Sequence, residues 1–371
     1  MTGDPRADSS APGDSDARSD PGAGSEVPSD VSAEQVSLAR RLRDPRTIIS
    51  IVLPLVLLVL LSRALPGFEL DKLPERVLAA NPLLLLLALA VYYVGFPLRG
   101  YRWATLIRGT GYPLSIRDST EIIFISWLVN CLVPAKLGDV YRAYLLRLNT
   151  LVSLSRTFGT VFIERIFDLF AIVLLGLAAG FWSFRTGLPP EVVIIFAAGL
   201  VFIGLLAVGL FTLRNFGRRL LMALPVPQRL HEFYDRFEEG VFSIDRRQVP
   251  RLALVTVAIW TTEALRLFFV VEALGFTGVH LGISGAFFVA LAASLLTAVP
   301  ITPAGIGFVE AAIVTILTLA YGVQPAEAAT IALVDRAISV LSVIVLGSIA
   351  YVLSPKTKGG GSGAVVSTST S

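Results

Sequence analysis

Val133-Pro134-Ala135-Lys136-Leu137-Gly138-Asp139 cuts through the middle of an apolar stretch, 119–147, and Val299-Pro300-Ile301-Thr302-Pro303-Ala304-Gly305-Ile306-Gly307 cuts through a second, 284–321. Proline removes a backbone donor and glycine turns at no steric cost, so each sequence reads as a helix break. Backbone groups freed in hydrocarbon find no partner in lipid, and a break at that depth is tolerated only where protein or a wet cavity covers it. Each stretch is therefore expected to be a re-entrant helical hairpin that returns to the side it came from. Two full crossings per stretch would leave the chain ends on the same sides, so parity does not separate the two readings.

Outward from the breaks the chain is apolar. Of its 371 residues 54% are apolar and 16% charged, and the mean hydropathy is +0.73. Runs of about 20 apolar residues are what a bilayer core requires of a helix, and six are read here, at 47–64, 82–98, 160–182, 192–213, 252–273 and 329–352. The fold class is an all-α polytopic membrane protein, with six full spans and two re-entrant hairpins. Residues 1–38, with eight acids and two arginines, carry a net charge of −6 and few large apolar side chains, the composition of a disordered tail. The rest carries 29 basic and 20 acidic side chains, a net +9. The transmembrane unit is read as 39–355, with a flexible tail at 356–371.

The basic residues before Thr47, in 99–117, in the amphipathic loop 214–251 and at Lys356 and Lys358 fall on one side if the hairpins do not change sidedness. Both termini are then expected in the cytoplasm of a cell-membrane protein. One cysteine, Cys131, and two histidines, His231 and His280, leave too little for a disulfide framework or a histidine-rich metal centre. Walker A, HExxH and GxSxG patterns are missing from the sequence. No catalytic residue, metal, cofactor or nucleic-acid partner is expected, and the chain is not read as an enzyme.

The two broken hairpins sit in similar surroundings. Arg102 precedes Gly111-Tyr112 as Arg266 precedes Gly275-Phe276, and Val161-Phe-Ile-Glu164-Arg165 with Leu175-Gly176 matches Ala332-Leu-Val-Asp335-Arg336 with Leu346-Gly347 at the same spacing. Halves at about 82–182 and 252–352 are separated by an odd number of crossings and would point in opposite directions. Inverted repeats with broken helices belong to alternating-access transporters, with a site near the midplane.

Ionisable side chains inside spans are costly and face a cavity, a partner or a substrate. The first half offers Arg99, Arg102, Lys136, Asp139, Arg142, Glu164, Arg165 and Asp168. The second offers Glu263, Arg266, Glu310, Asp335 and Arg336. Glu164 and Asp168 share a helix face and need a cation between them, Arg142 or Arg165. One reading has these groups pair and lock the hairpins. In the other, the excess of arginine grips phosphate, helped by backbone N–H groups at helix N-termini beside the breaks.

Arg99-Gly-Tyr-Arg102-Trp, then Asn130-x-x-x-Pro134-x-x-x-Gly138-Asp139-x-x-Arg142, then Glu164-Arg165-x-x-Asp168, and later Pro300-x-x-Pro303-x-Gly305-x-Gly307-x-x-Glu310 resemble the lysylphosphatidylglycerol synthase transmembrane, or flippase-like, family over roughly 45–355. In that family the membrane region is associated with moving aminoacylated phospholipid between leaflets, and it is fused in some members to a synthase or glycosyltransferase domain. The resemblance implies a stand-alone flippase-like unit, with Arg99, Arg102, Asn130, Pro134, Gly138, Asp139, Arg142, Glu164, Arg165, Asp168 and Glu310 in or beside a head-group site. Lys136 and Arg266 join the lipid-binding set by position, and Glu263, Asp335 and Arg336 join Glu164, Arg165, Asp168 and Glu310 as charge-balancing or proton-coupling groups.

The function expected is transport of an anionic or polyprenyl-phosphate-type lipid between inverted halves, proton-coupled through Glu164, Asp168 and Glu310. An alternative is a membrane accessory subunit for a lipid-modifying enzyme or glycosyltransferase. The partners expected are a membrane lipid and a lipid or sugar transferase. A membrane enzyme acting on phospholipid is a third reading, against which stands the lack of a clear nucleophile–base pair.

Overall fold

The computed structural model describes residues 70–134, 136–185, 190–223, 227–296 and 302–358. Among the described residues every regular element is helical. The expected first span at 47–64, the acidic tail, Pro300 and the tail from residue 359 lie outside them.

A short helix α1 (Leu73–Ala79) leads into α2 (Pro82–Gly109). The Asn81 side chain starts α2 by accepting from the N–H groups of Leu83 and Leu84, two of the donors that a helix leaves orphaned at its start. At 28 residues α2 is about 42 Å long. It does not stop near residue 98, as the apolar run alone suggests, so Arg99 and Arg102 lie inside the helix. The first broken stretch forms α3 (Ile116–Leu132) and α4 (Leu137–Asn149), followed by α5 (Leu154–Ser183) and α6 (Pro190–Ala223). Helix α7 (Gln228–Val241) precedes α8 (Val249–Leu274). The second broken stretch gives α9 (Gly282–Leu296) and α10 (Phe308–Tyr321). Last come α11 (Pro325–Arg336), a π-helical turn at Ala337–Leu341, and α12 (Ser342–Leu353).

The chain is a multi-pass membrane protein. Pro82–Gly109, Val249–Leu274, Pro303–Tyr321 and Pro325–Leu353 are long and apolar enough to cross a bilayer, and α5 and α6, at 30 and 34 residues, have spanning length as well. Burial is reversed relative to a water-soluble fold: Leu83, Leu200, Val201, Leu205, Leu254 and Val352 are exposed, while Arg99, Arg102, Arg142, Glu164, Asp168 and Asp335 are buried. Apolar side chains outside and charges inside is the arrangement that hydrocarbon as solvent selects.

Helix packing follows a reciprocal scheme. α2 lies along α8, α3 packs against α12 while α9 packs against α5, and α4 meets α5 as α10 meets α11. Exchanging α2 with α8, α3 with α9, α4 with α10, and α5 with α11–α12 turns this set of contacts into itself.

Both breaks put a left-handed residue at the start of the following helix, Lys136 (φ 51) before α4 and Gly307 (φ 89) before α10. Val133 is extended, as the residue before a proline prefers. Gly138 is required by contact: a Cβ there would meet the Ser126 carbonyl oxygen at 2.1 Å. In the 214–251 segment, read from sequence as an amphipathic loop, α7 docks on α5. Its Gly240 lies so close to Gly159 and the Arg156 carbonyl that a Cβ would meet that oxygen at 2.2 Å, and Phe162 and Phe237 rings sit 5.5 Å apart.

Candidate functional site

Apart from Lys136, the charged residues singled out from sequence form three groups of buried ion pairs, one around Glu164 and Asp168, one around Glu263, and the pair Arg336–Glu310. Arg102 grips Asp168 with both terminal nitrogens (2.6 and 3.1 Å) and reaches Glu164 Oε1 through Nε at 3.2 Å. Arg142 Nη2 donates to Glu164 Oε2 at 2.6 Å, with its guanidinium 4.6 Å from the Trp103 ring centroid. Arg165 binds both oxygens of Asp139, at 2.9 and 3.0 Å, and approaches Asp168 at 3.4 Å. On the other side Arg336 donates to Glu310 at 2.9 Å and to the Ala304 carbonyl, and Arg266 Nη2 faces Asp335 Oδ2 at 3.2 Å and Glu263 Oε2 at 3.5 Å. Buried ions persist only with partners of this kind.

The pairs correspond. Asp139 and Glu310 are both third residues of the helix after a break, and the intervals from Asp139 to Glu164 and Arg165 equal those from Glu310 to Asp335 and Arg336. Thus Arg165–Asp139 matches Arg336–Glu310, and Arg102–Glu164 matches Arg266–Asp335. Arg99 and Glu263 stand three residues before Arg102 and Arg266, at matching positions with opposite charge, and pair with each other at 2.7 Å where α2 meets α8.

A cavity of about 170 Å³ opens between the two breaks, lined by Arg99, Lys136, Arg165, Asp168, Glu263, Arg266, Asp335 and Arg336 with Tyr92, Trp127, Asn130 and Trp260. At roughly 10–15 Å³ of such volume per water it has room for about a dozen waters. Several nitrogens of lining arginines are closed off and have no hydrogen-bond partner among the described residues: Arg99 Nη1, Arg165 Nε, and Arg266 Nε and Nη1. Lys136 makes no ion pair with any described residue.

The cavity therefore divides the sequence-derived residues. Arg99, Asn130, Lys136, Arg165, Asp168, Glu263, Arg266, Asp335 and Arg336 reach the cavity, whereas Arg102, Pro134, Gly138, Asp139, Arg142, Glu164 and Glu310 do not line it. Arg102 and Arg142, expected to hold phosphate, are occupied by Glu164 and Asp168. Both carboxylates thus acquire the cation they need, and Arg102 is the bridge that spacing did not single out. The excess of cations is small once paired: Arg99, Arg102, Lys136, Arg142, Arg165, Arg266 and Arg336 face Asp139, Glu164, Asp168, Glu263, Glu310 and Asp335. The helix N-termini expected to offer N–H groups are also occupied, Gly138 N–H by Asn130 Oδ1 (2.8 Å) and Gly307 N–H by Glu310 Oε2 (2.7 Å).

Aromatic lining residues were not singled out from sequence. Trp260 donates to Asp168 at 3.0 Å, and the Arg99 and Arg266 guanidinium groups lie 4.8 Å from the Trp127 ring and 5.2 Å from the Tyr92 ring. The signal available was helical spacing, since Trp260 stands three residues before Glu263 and Trp127 three before Asn130.

The profile of the lysylphosphatidylglycerol synthase TM region matches residues 47–347, which contain all three groups of ion pairs. The chain belongs to that family. Its relatives include a UPF0104 membrane protein of Methanocaldococcus jannaschii, 34% identical over 223 residues that make up 60% of this chain and 92% of the relative. Another is glycosyltransferase AglD of Haloferax volcanii, 29% identical over 338 residues, 81% of this chain and 53% of that protein. A UPF0104 membrane protein of Pyrococcus horikoshii is 24% identical over 318 residues, 79% of this chain and 93% of the relative.

Proposed function

We propose that this family member moves a phosphate-bearing anionic lipid between leaflets of the cell membrane, with the head group in the central cavity and the acyl chains in lipid. The observation that carries the reading is the set of unpartnered donors on Arg99, Arg165 and Arg266, beside the unpaired Lys136, in a buried cavity between two helix breaks. A guanidinium presents its donors in a plane that suits phosphate oxygens, and burial strengthens each bond relative to water.

The reciprocal packing and the matched ion pairs support reading 82–182 and 252–352 as repeats of opposite orientation, with α3–α4 and α9–α10 as re-entrant hairpins; six full spans and cytoplasmic termini complete the reading. Rocking of one half against the other would then expose the cavity to each side in turn. The chain carries no chemistry of its own in this reading. Pairs such as Arg142–Glu164 hold the hairpins, and the cavity donors hold the lipid.

The experiment is leaflet exchange in proteoliposomes with fluorescent phosphatidylglycerol and phosphatidylcholine. Exchange of the anionic lipid well above protein-free vesicles, reduced at least several-fold in Lys136→Gln, is the expected result. Equal rates with and without protein would sink the reading.

A second reading is favoured by the glycosyltransferase relative, in which a family-like region forms part of a longer protein. Here the chain would hold a lipid for a separate lipid or sugar transferase. Stoichiometric co-purification of such an enzyme, with no exchange by the isolated protein, would select it.

A further inference from the structure

Five of the six carboxylates in these ion pairs have a nitrogen within 3.5 Å of each oxygen. Arg165 serves both oxygens of Asp139, Arg102 and Arg142 share Glu164, and Arg102, Trp260 and Arg165 surround Asp168. Arg99 and Arg266 share Glu263, and Arg336 and the Gly307 N–H share Glu310. Asp335 is the exception. Its Oδ2 faces Arg266, its Oδ1 has no donor among the described residues, and the side chain is 2% exposed and borders the cavity.

The cause lies in the matched positions. Asp335 corresponds to Glu164, whose second oxygen is held by Arg142, and the residue that corresponds to Arg142 is Ile313. An apolar side chain thus replaces the second cation, and an unpartnered oxygen is left in a buried place where it is costly.

We propose that Asp335 is a proton-binding carboxyl, loaded when an anionic head group enters the cavity, so that lipid and proton move together. The inference rests on the reading of the cavity as an anion site. Phosphate oxygens that take the free Nε–H and Nη1–H of Arg266 draw its guanidinium away from Asp335 and bring a second negative charge beside it. An O–H bond then forms at Oδ1 with a proton taken from the aqueous phase, where a buffer acid gives it up and is left as its conjugate base, and the charge of the filled cavity is restored.

The other groups that face Asp335 do not compete for that proton. From α8, Glu263 keeps its 2.7 Å contact with Arg99 when Arg266 turns to the phosphate. From α10, Glu310 is held by Arg336, the neighbour of Asp335 on its own helix. From α2, the Tyr92 hydroxyl donates to the Ser339 carbonyl. Arg99 and Lys136 line the same cavity and would meet the phosphate. The proton carrier moves accordingly from Glu164, Asp168 and Glu310, whose oxygens are already occupied, to Asp335.

Binding and protonation are then linked reciprocally. Calorimetric titration of the purified protein with dihexanoyl-phosphatidylglycerol, in two buffers of different ionisation enthalpy, should show close to one proton taken up per lipid bound. Affinity should rise as pH falls, by up to about tenfold per pH unit. Asp335→Asn should keep binding and lose both the uptake and the pH dependence. Uptake near zero in the parent protein, or unchanged uptake in the variant, overturns the proton site.

If the probe does not bind at all, it is the anion reading that fails. Infrared difference spectra of the ligand-free protein then decide the proton site by themselves. A protonated-carboxyl band that grows on acidification and is missing in Asp335→Asn supports it, and its absence from the parent protein overturns it.

Discussion

Arg142 Nη2 lies 2.6 Å from Glu164 Oε2, with side-chain exposures of 3% and 2%. The pair joins α4 to α5 and Arg142 does not line the cavity, so Arg142 is expected to act as a structural lock. Removing Arg142 leaves Glu164 Oε2 without a cation, with only Arg102 on Oε1, in a place that water does not reach, at a cost of up to about 3–5 kcal/mol. Arg142→Gln is therefore expected to lower the thermal unfolding temperature of the purified protein strongly. Arg142→Gln/Glu164→Gln, which removes both charges, should recover much of the loss. A double variant no better than the single would refute the lock.

Lys136 combines a left-handed backbone with an ammonium that makes no ion pair within 4 Å of a described residue, Asp139 and Asp168 acting on it only from farther away. A non-glycine residue in that region costs about 1–2 kcal/mol, and the matching position in the second half is Gly307. Lys136→Gly should raise thermal stability while slowing exchange of anionic lipid, the trade expected where strain is kept for function. If stability and exchange fall together, the lysine is structural.

Close packing inside the first hairpin depends on Gly138, where an added methyl would also meet the Asn130 side chain at 2.6 Å. Gly138→Ala should force α3 and α4 apart at a cost of about 1–3 kcal/mol or more. Gly204→Ala in α6 meets nothing within 4 Å and should be neutral or favourable by helix propensity. Unfolding temperatures of the two variants in the same detergent provide the comparison.

Arg99 and Glu263 form the one pair that joins matching positions of α2 and α8. Arg99→Glu or Glu263→Arg alone places like charges together in a buried contact and should abolish folded yield. The double swap restores opposite charges and should recover yield, read by size-exclusion chromatography of a fluorescent fusion. Failure of the swap to exceed the single variants would show that the pair is not interchangeable.

Much of this arrangement was legible in the sequence. The proline and glycine clusters at 133–139 and 299–307 located the breaks, because nothing else explains such residues in apolar stretches. The acid–arginine pairs at Glu164-Arg165 and Asp335-Arg336 marked the helices whose ion pairs correspond. What the sequence did not reveal was how the charges divide. Arg102, Arg142 and Arg266 look alike in a linear chain, and only the packing of α2, α4, α5 and α8 shows that Arg102 uses every nitrogen on Glu164, Asp168 and Thr256, while Arg142 keeps one and Arg266 two unpartnered nitrogens. The correspondence of Asp139 with Glu310 was hidden because the breaks themselves differ in sequence, while the intervals that follow them do not. Span limits were misjudged for a simpler reason: α2 carries its arginines inside, so an apolar run ends before the helix does.

The Arg99–Glu263 contact also bears on ancestry. If the halves descend from one duplicated segment, that ancestor had a single residue type at this position, and pairing two copies would have set arginine against arginine or acid against acid. A neutral residue there would have been tolerated. The present pair requires two different residues, so a half that has acquired either charge can no longer assemble with a copy of itself, and fusion into one chain is what keeps the complementary halves together.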